Sequence, residues 1–156
     1  MSPAAAAPGD GRAATTVVRH GEEPEMAAPD ASEVVTKHGA RTVAETVEAL
    51  VELIRARELR LFALIDQREE ARSVGLELRD TVLVLFGSPV AGTPIMAAAP
   101  LAAIDLPLRV VIWDDGVRTC ISYVSPHALA ERHHLSPDLA GPLAGLDAIT
   151  DALIAA

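Results

Sequence analysis

Aromatic side chains, cysteine, basic clusters and long apolar runs are all scarce in this chain. Two Phe, one Trp and one Tyr amount to 3% of 156 residues, whereas apolar residues reach 50%, so any core must be aliphatic, built from Val, Leu, Ile and Ala. The single cysteine, Cys120, excludes an intrachain disulfide and any CxxC metal or redox pair. That usage fits a reducing, cytoplasmic compartment. No apolar run approaches the ~20 residues that cross a bilayer, so no membrane partner is expected. The opening MSPAAAAPGDGRAATT lacks a basic stretch followed by a long apolar one and does not read as a secretory signal. The formal net charge is −9, and Arg55, Arg57 and Arg60 form the only tight basic group, which argues against nucleic acid as a partner.

The length suits one ordinary domain. Residues 1–31, rich in Ala, Pro, Gly and acids without sustained periodicity, are expected to be a disordered tail, the alternative being a short strand at Ala14–Arg19. Residues 32–156 are expected to be a single folded unit. Its first strand is Glu33–His38. Thr42-Val-Ala-Glu45 then has the form of a capping box, and Val43, Val47, Leu50, Val51 and Ile54 follow at helical spacing. Leu59–Ile65 and Thr81–Phe86 read as strands, the second a continuous apolar run suited to the middle of a sheet. Between them, Asp66-Gln-Arg-Glu69 opens a short helix that Gly75 ends. The segment from Gly87 to Pro100 reads as a Gly/Pro-punctuated loop and a short helix containing Ile95–Ala99. Arg109–Trp113 and Arg118–Tyr123 are strands joined by Asp114-Asp115-Gly116, a hairpin signal. Ser125-Pro126 starts a helix through about His133, and a last helix runs from Pro142 to Ile154. This order predicts an α+β fold, dominated by an antiparallel sheet, rather than a doubly wound parallel one.

Ile65-Asp66, GLELRDT at Gly75–Thr81, FGSPVAGTPIM at Phe86–Met96, AAPLAAIDLPL at Ala98–Leu108, IWDD at Ile112–Asp115, ISY at Ile121–Tyr123 and LAERH at Leu129–His133 occur in that order. This text resembles the domain of unknown function 302 family. The resemblance implies a curved antiparallel sheet with helices packed on one face, of the TATA-binding-protein-like type, and no established activity. Fold and function are separable, so DNA binding is not implied. Family members often carry His after the Ile-Asp pair, Asn in the FG-x-P loop and Asp before the later proline. Here these positions hold Gln67, Ser88 and Ser125.

Several constellations could carry chemistry. In FGSPVAGTP, Gly87, Ser88, Gly92 and Thr93 could present backbone N–H groups to an anion, although the Lys of a Walker A motif and the GxGxxG spacing are both missing. The plainer reading is that Ser88-Pro89 and Thr93-Pro94 are helix caps followed by preset first turns. Asp105, between Ile104 and Leu106, is a candidate acid-base carboxylate, with acceptance of backbone N–H groups as its plainer role. Asp66 is a weaker candidate, explained by N-capping with Glu69 three residues on. His127, Glu131 and His134 fall at i, i+4 and i+7 and could face a metal, but a solvated helix face explains the same pattern, so no metal is expected. Tyr123 and His133 carry polar ends that need partners if buried. Cys120 reads as inert packing.

These readings converge on an unidentified small-molecule or anion ligand, held in a cleft formed by the Gly87–Met96 loop, Asp105 and Tyr123. The proposition beneath them is that the glycine-proline bend at 87–94 lies near the Asp105-Leu-Pro bend. One alternative is an enzyme using Asp105 as base with Thr93 or Tyr123 orienting substrate. Another is a structural or regulatory partner protein. A homodimer through sheet or helix surfaces is an expectation, and no cofactor is expected.

Overall fold

The computed structural model describes residues 33–155. The tail at 1–31 and the alternative strand at Ala14–Arg19 lie outside the described residues.

Five strands alternate with helices: β1 (Val34–Gly39), α1 (Val43–Ala56), β2 (Arg60–Asp66), α2 (Gln67–Ser73), β3 (Thr81–Gly87), α3 (Pro89–Ala98), β4 (Leu108–Asp114), β5 (Thr119–Val124), α4 (Pro126–Arg132), α5 (Pro137–Ala140) and α6 (Gly145–Ile154). Single 3₁₀ turns occupy Pro100–Ile104 and Gly141–Ala144. The sheet order is β1-β5-β4-β3-β2 and every pairing is antiparallel. β1 and β2 therefore run in the same direction at opposite edges, and α1 crosses between them. The α+β class and the antiparallel sheet follow the expectation.

Alternation along the strands sorts their residues into two faces. Val82, Val84 and Phe86 of β3, Val110 and Ile112 of β4, and Ile121 and Tyr123 of β5 point into the core against Val43, Val47, Leu50 and Ile54 of α1 and Leu146, Ile149 and Leu153 of α6. Leu83, Val111 and Trp113, of opposite parity, point away from these helices and are half-buried. A second, smaller cluster of Ile95, Ala102, Leu129 and Leu143 joins α3 and α4 to the end of the sheet.

Local chemistry explains the boundaries. Thr42 Oγ1 accepts the Glu45 amide and Glu45 Oε2 accepts the Thr42 amide, completing the capping box of α1. The Asp66 carboxylate accepts the Glu69 amide at the start of α2. Ser88, Ser125 and Ser136 cap α3, α4 and α5, each followed by proline at the first helical position.

Two expectations are corrected. One continuous helix starts at Pro89 with Ser88 as its cap and runs through the Ile95 segment, because Pro94 is tolerated inside it. Thr93 is thus mid-helix and exposed rather than a cap. The C-terminal helix begins at Gly145, after the 3₁₀ turn that Pro142 introduces.

Candidate functional site

The two bends do meet. Phe86 pairs with Leu108 across β3 and β4, and an added Cβ on Gly87 would lie 4.0 Å from both Pro107 Cβ and the Leu108 amide nitrogen. The Leu106-Pro107 peptide is cis. Next to this junction, a cavity of about 420 Å³ opens between α3, the Leu106–Leu108 turn, the end of α1 and the start of α6. Gly87, Ser88, Gly92, Ile95 and Met96 supply the α3 side, and Leu143, Leu146 and Ile149 the α6 side. Its floor is Phe86, which is fully buried. Among its described lining residues only Arg57 is charged, and that side chain is exposed at the end of α1. Such a lining, apolar with few polar groups, is the usual form of a small-molecule site.

Of the residues singled out from sequence, Gly87, Ser88 and Gly92 line this cavity, whereas Thr93, Asp105 and Tyr123 do not. Asp105 instead joins the 3₁₀ turn to α4. Arg132 donates to both of its oxygens at 3.1 Å, and His133 Nε2 lies 2.6 Å from Oδ2. Burial alone would raise the Asp105 pKa, but the hydrogen bonds from His133 and Arg132 outweigh it and hold the group below the ordinary carboxylate range. A carboxylate so held is a weak general base. The void it borders, with His133, is about 10 Å³, no larger than one water needs. The carboxylate thus accepts from side chains, not from the backbone amides the plainer sequence reading assigned.

Tyr123 belongs to the main core cluster and to a different polar network. Its hydroxyl donates to Asp147 Oδ1 at 2.5 Å, and Lys37 Nζ sits 5.3 Å from its ring centroid while reaching Thr150 Oγ1 at 2.8 Å and Asp151 Oδ1 at 2.6 Å. This network fastens α6 to β1 and β5. Asp66 serves as the N-cap of α2, as its spacing with Glu69 indicates.

His127 and Glu131 form an exposed pair at 3.2 Å. α4 ends at Arg132 and His134 has a left-handed φ of 51°, so His134 lies past the helix, yet all three residues border one open groove beside α4 and α5.

One cluster escaped the sequence reading. His38, on edge strand β1, is the register partner of Cys120 on β5, and Asp115 in the β4–β5 turn reaches the same sulfur. The Cys120 thiol is 3.4 Å from both His38 Nδ1 and Asp115 Oδ2. Burial, and then the Asp115 carboxylate, push the Cys120 thiol up from its ordinary pKa. The residues contributing to this cluster stand 82 and 5 positions from Cys120, a spacing that carries no motif. The cavity was likewise only partly legible, because nothing in the order of residues joins Arg57 and the apolar α6 residues Leu146 and Ile149 to the Gly87–Met96 segment.

An open antiparallel sheet backed by helices, with an apolar cavity at one end, defines a small α+β domain. Residues 33–153 match the family model described as "Domain of unknown function DUF302", and the chain belongs to that family. It is similar in fold to the crystal structure of the uncharacterized conserved protein DUF302 from Bacillus stearothermophilus, with a TM-score of 0.67 at 19% identity, covering 80% of this chain and 97% of that one. It is also 34% identical over 113 residues to proteins named fluoride-specific ion channel FluC 1 from Brucella suis biovar 1 (strain 1330) and Brucella abortus biovar 1 (strain 9-941). These matches take in 72% of this chain but only 44% and 42% of the relatives, so the chain spans less than half their length. No helix among the described residues is long and apolar enough to cross a membrane.

Proposed function

We propose that the domain binds an amphipathic small molecule, its apolar body in the cavity beside the Gly87–Met96 segment and its anionic head at Arg57. One observation carries the reading: a cavity of about 420 Å³ whose described lining is apolar, Phe62 and Phe86 included, except for Ser88 and the Arg57 cation. The volume falls within the ~300–1,000 Å³ of typical ligand sites. Burying an alkyl chain there gains about 0.8 kcal/mol per methylene, while the exposed guanidinium suits a carboxylate. A fluoride ion is a poorer occupant, since it would shed its hydration against apolar walls without matching donors. The channel name belongs to Brucella polypeptides less than half of whose length is matched by this chain.

Calorimetric titration of the full chain with decanoate and with decanol tests it. Saturable binding of both is expected, with Arg57→Gln weakening decanoate by about tenfold, the loss of one charge-assisted contact, and leaving decanol unchanged. Ala91→Trp, which fills the cavity, should abolish both. Absence of saturable binding to either ligand by a folded chain would overturn the proposal.

A further inference from the structure

Cys120, His38 and Asp115 come from β5, β1 and the β4–β5 turn, yet one ligand atom from each lies within 4.8 Å of the others. The two sulfur distances, 3.4 Å to His38 Nδ1 and 3.4 Å to Asp115 Oδ2, match the edges of a tetrahedron around zinc. Metal bonds of about 2.0–2.3 Å at tetrahedral angles put neighbouring ligand atoms about 3.5 Å apart.

We infer that Cys120, His38 and Asp115 form a three-ligand site for a divalent, thiolate-accepting transition metal, of which zinc is the natural occupant, with the fourth position open to solvent beside His38. Three features support the assignment. The donor set is sulfur, nitrogen and carboxylate oxygen, which zinc accepts in any combination. The β1–β5 register sets the imidazole directly beside the thiol, because His38 and Cys120 are cross-strand partners. The Asp115 carboxylate is already oriented: Oδ1 accepts the Val117 and Arg118 amides at 2.8 Å each, leaving Oδ2 turned toward the sulfur. Outer-sphere bonds of this kind fix a metal-binding carboxylate in place.

On binding, the Cys120 S–H bond breaks, the sulfur keeps the electron pair and forms the metal–sulfur bond, and the proton leaves to solvent. The opposing charge nearby is Arg118, whose Nε is 3.8 Å from Asp115 Oδ2. Asp114 is turned to the Gly116 amide and adds negative charge to the same turn.

The single cysteine makes the test specific, because a thiolate-to-metal charge-transfer band can arise only from this site. Reduced full-length protein is titrated with cobalt(II) under anaerobic conditions, then with zinc. The site predicts one equivalent of cobalt with near-ultraviolet thiolate charge transfer and tetrahedral visible bands, both bleached by zinc. Cys120→Ser should remove the charge transfer, and Arg118→Gln should tighten binding. His38→Gln, at an exposed position of an edge strand, should weaken cobalt binding by at least about tenfold, the loss expected even for outer-sphere partners. Wild-type protein without a charge-transfer band at stoichiometric cobalt would overturn the assignment. So would a band of undiminished affinity in folded His38→Gln, whether or not Cys120→Ser folds.

Discussion

His133 Nε2 and Asp105 Oδ2 lie 2.6 Å apart although 28 residues separate them, and the contact locks α4 onto the turn preceding β4. The carboxylate can only accept, so Nε2 carries the hydrogen. The His133 side chain is 9% exposed and that of Asp105 18%, so little water competes for the bond. Asp105→Asn is therefore expected to destabilise the fold by about 1–3 kcal/mol at neutral pH. Because the folded state holds the Asp105 pKa down, its contribution is full above the unfolded value of about 4 and is lost as pH falls through the folded value. Urea denaturation of wild type and variant between pH 7 and pH 3 should show the gap closing on the acid side.

The network around Tyr123 makes the mirror-image prediction. Burial, then the hydrogen bond to Asp147, raise the Tyr123 pKa. Lys37 is also raised: burial alone would lower it, but the hydrogen bond to Asp151 and the neighbouring Tyr123 outweigh that effect. Groups raised on folding stabilise fully below their unfolded pKa and lose that contribution as pH climbs through the folded value, here above about 10. Thermal melts of wild type should fall on that alkaline limb. Tyr123→Phe should cost about 1 kcal/mol at pH 7 and show a shallower limb, the remainder coming from Lys37.

Gly116 occupies φ +94° in the β4–β5 turn, and a Cβ there would come within 2.9 Å of the Arg79 guanidinium. Arg79 in turn donates to the Asp115 carbonyl at 2.8 Å. Gly116→Ala should therefore lower stability by about 1–2 kcal/mol, chiefly through the left-handed backbone, since the arginine tip can move aside. The double variant Gly116→Ala, Arg79→Ala should recover little of that loss in chemical denaturation.

Local chemistry was the legible part of this fold. Thr42 and Glu45 bracket α1 because a capping box is written in four consecutive residues, and Asp115-Gly116 marks the hairpin because few residues accept positive φ. The apolar run Thr81–Phe86 marks an interior strand, flanked by β4 and β2, with buried residues on its core face and half-buried Leu83 and Leu85 on its outer face. Thr93-Pro94 misled by resembling a second helix start where the helix capped at Ser88 simply absorbs the proline. Asp105 stood out by its apolar neighbours, but its partners Arg132 and His133 sit on a helix whose docking depends on tertiary packing. The cavity draws on α1, α3, the Leu106–Leu108 turn and α6, and the Cys120 cluster on a strand register; neither arrangement has a spacing that one dimension can display.

The central claim is that the space beside Gly87 and Gly92 takes a ligand. Nitrogen-15 NMR spectra of the full chain recorded during decanoate addition test it most directly. Progressive, saturating shifts of the Gly87, Gly92 and Gly145 amides are predicted, with the Gly75 and Gly116 amides, which do not line the cavity, left in place. Saturating shifts confined to other surfaces, with those three cavity amides unmoved, would contradict the account.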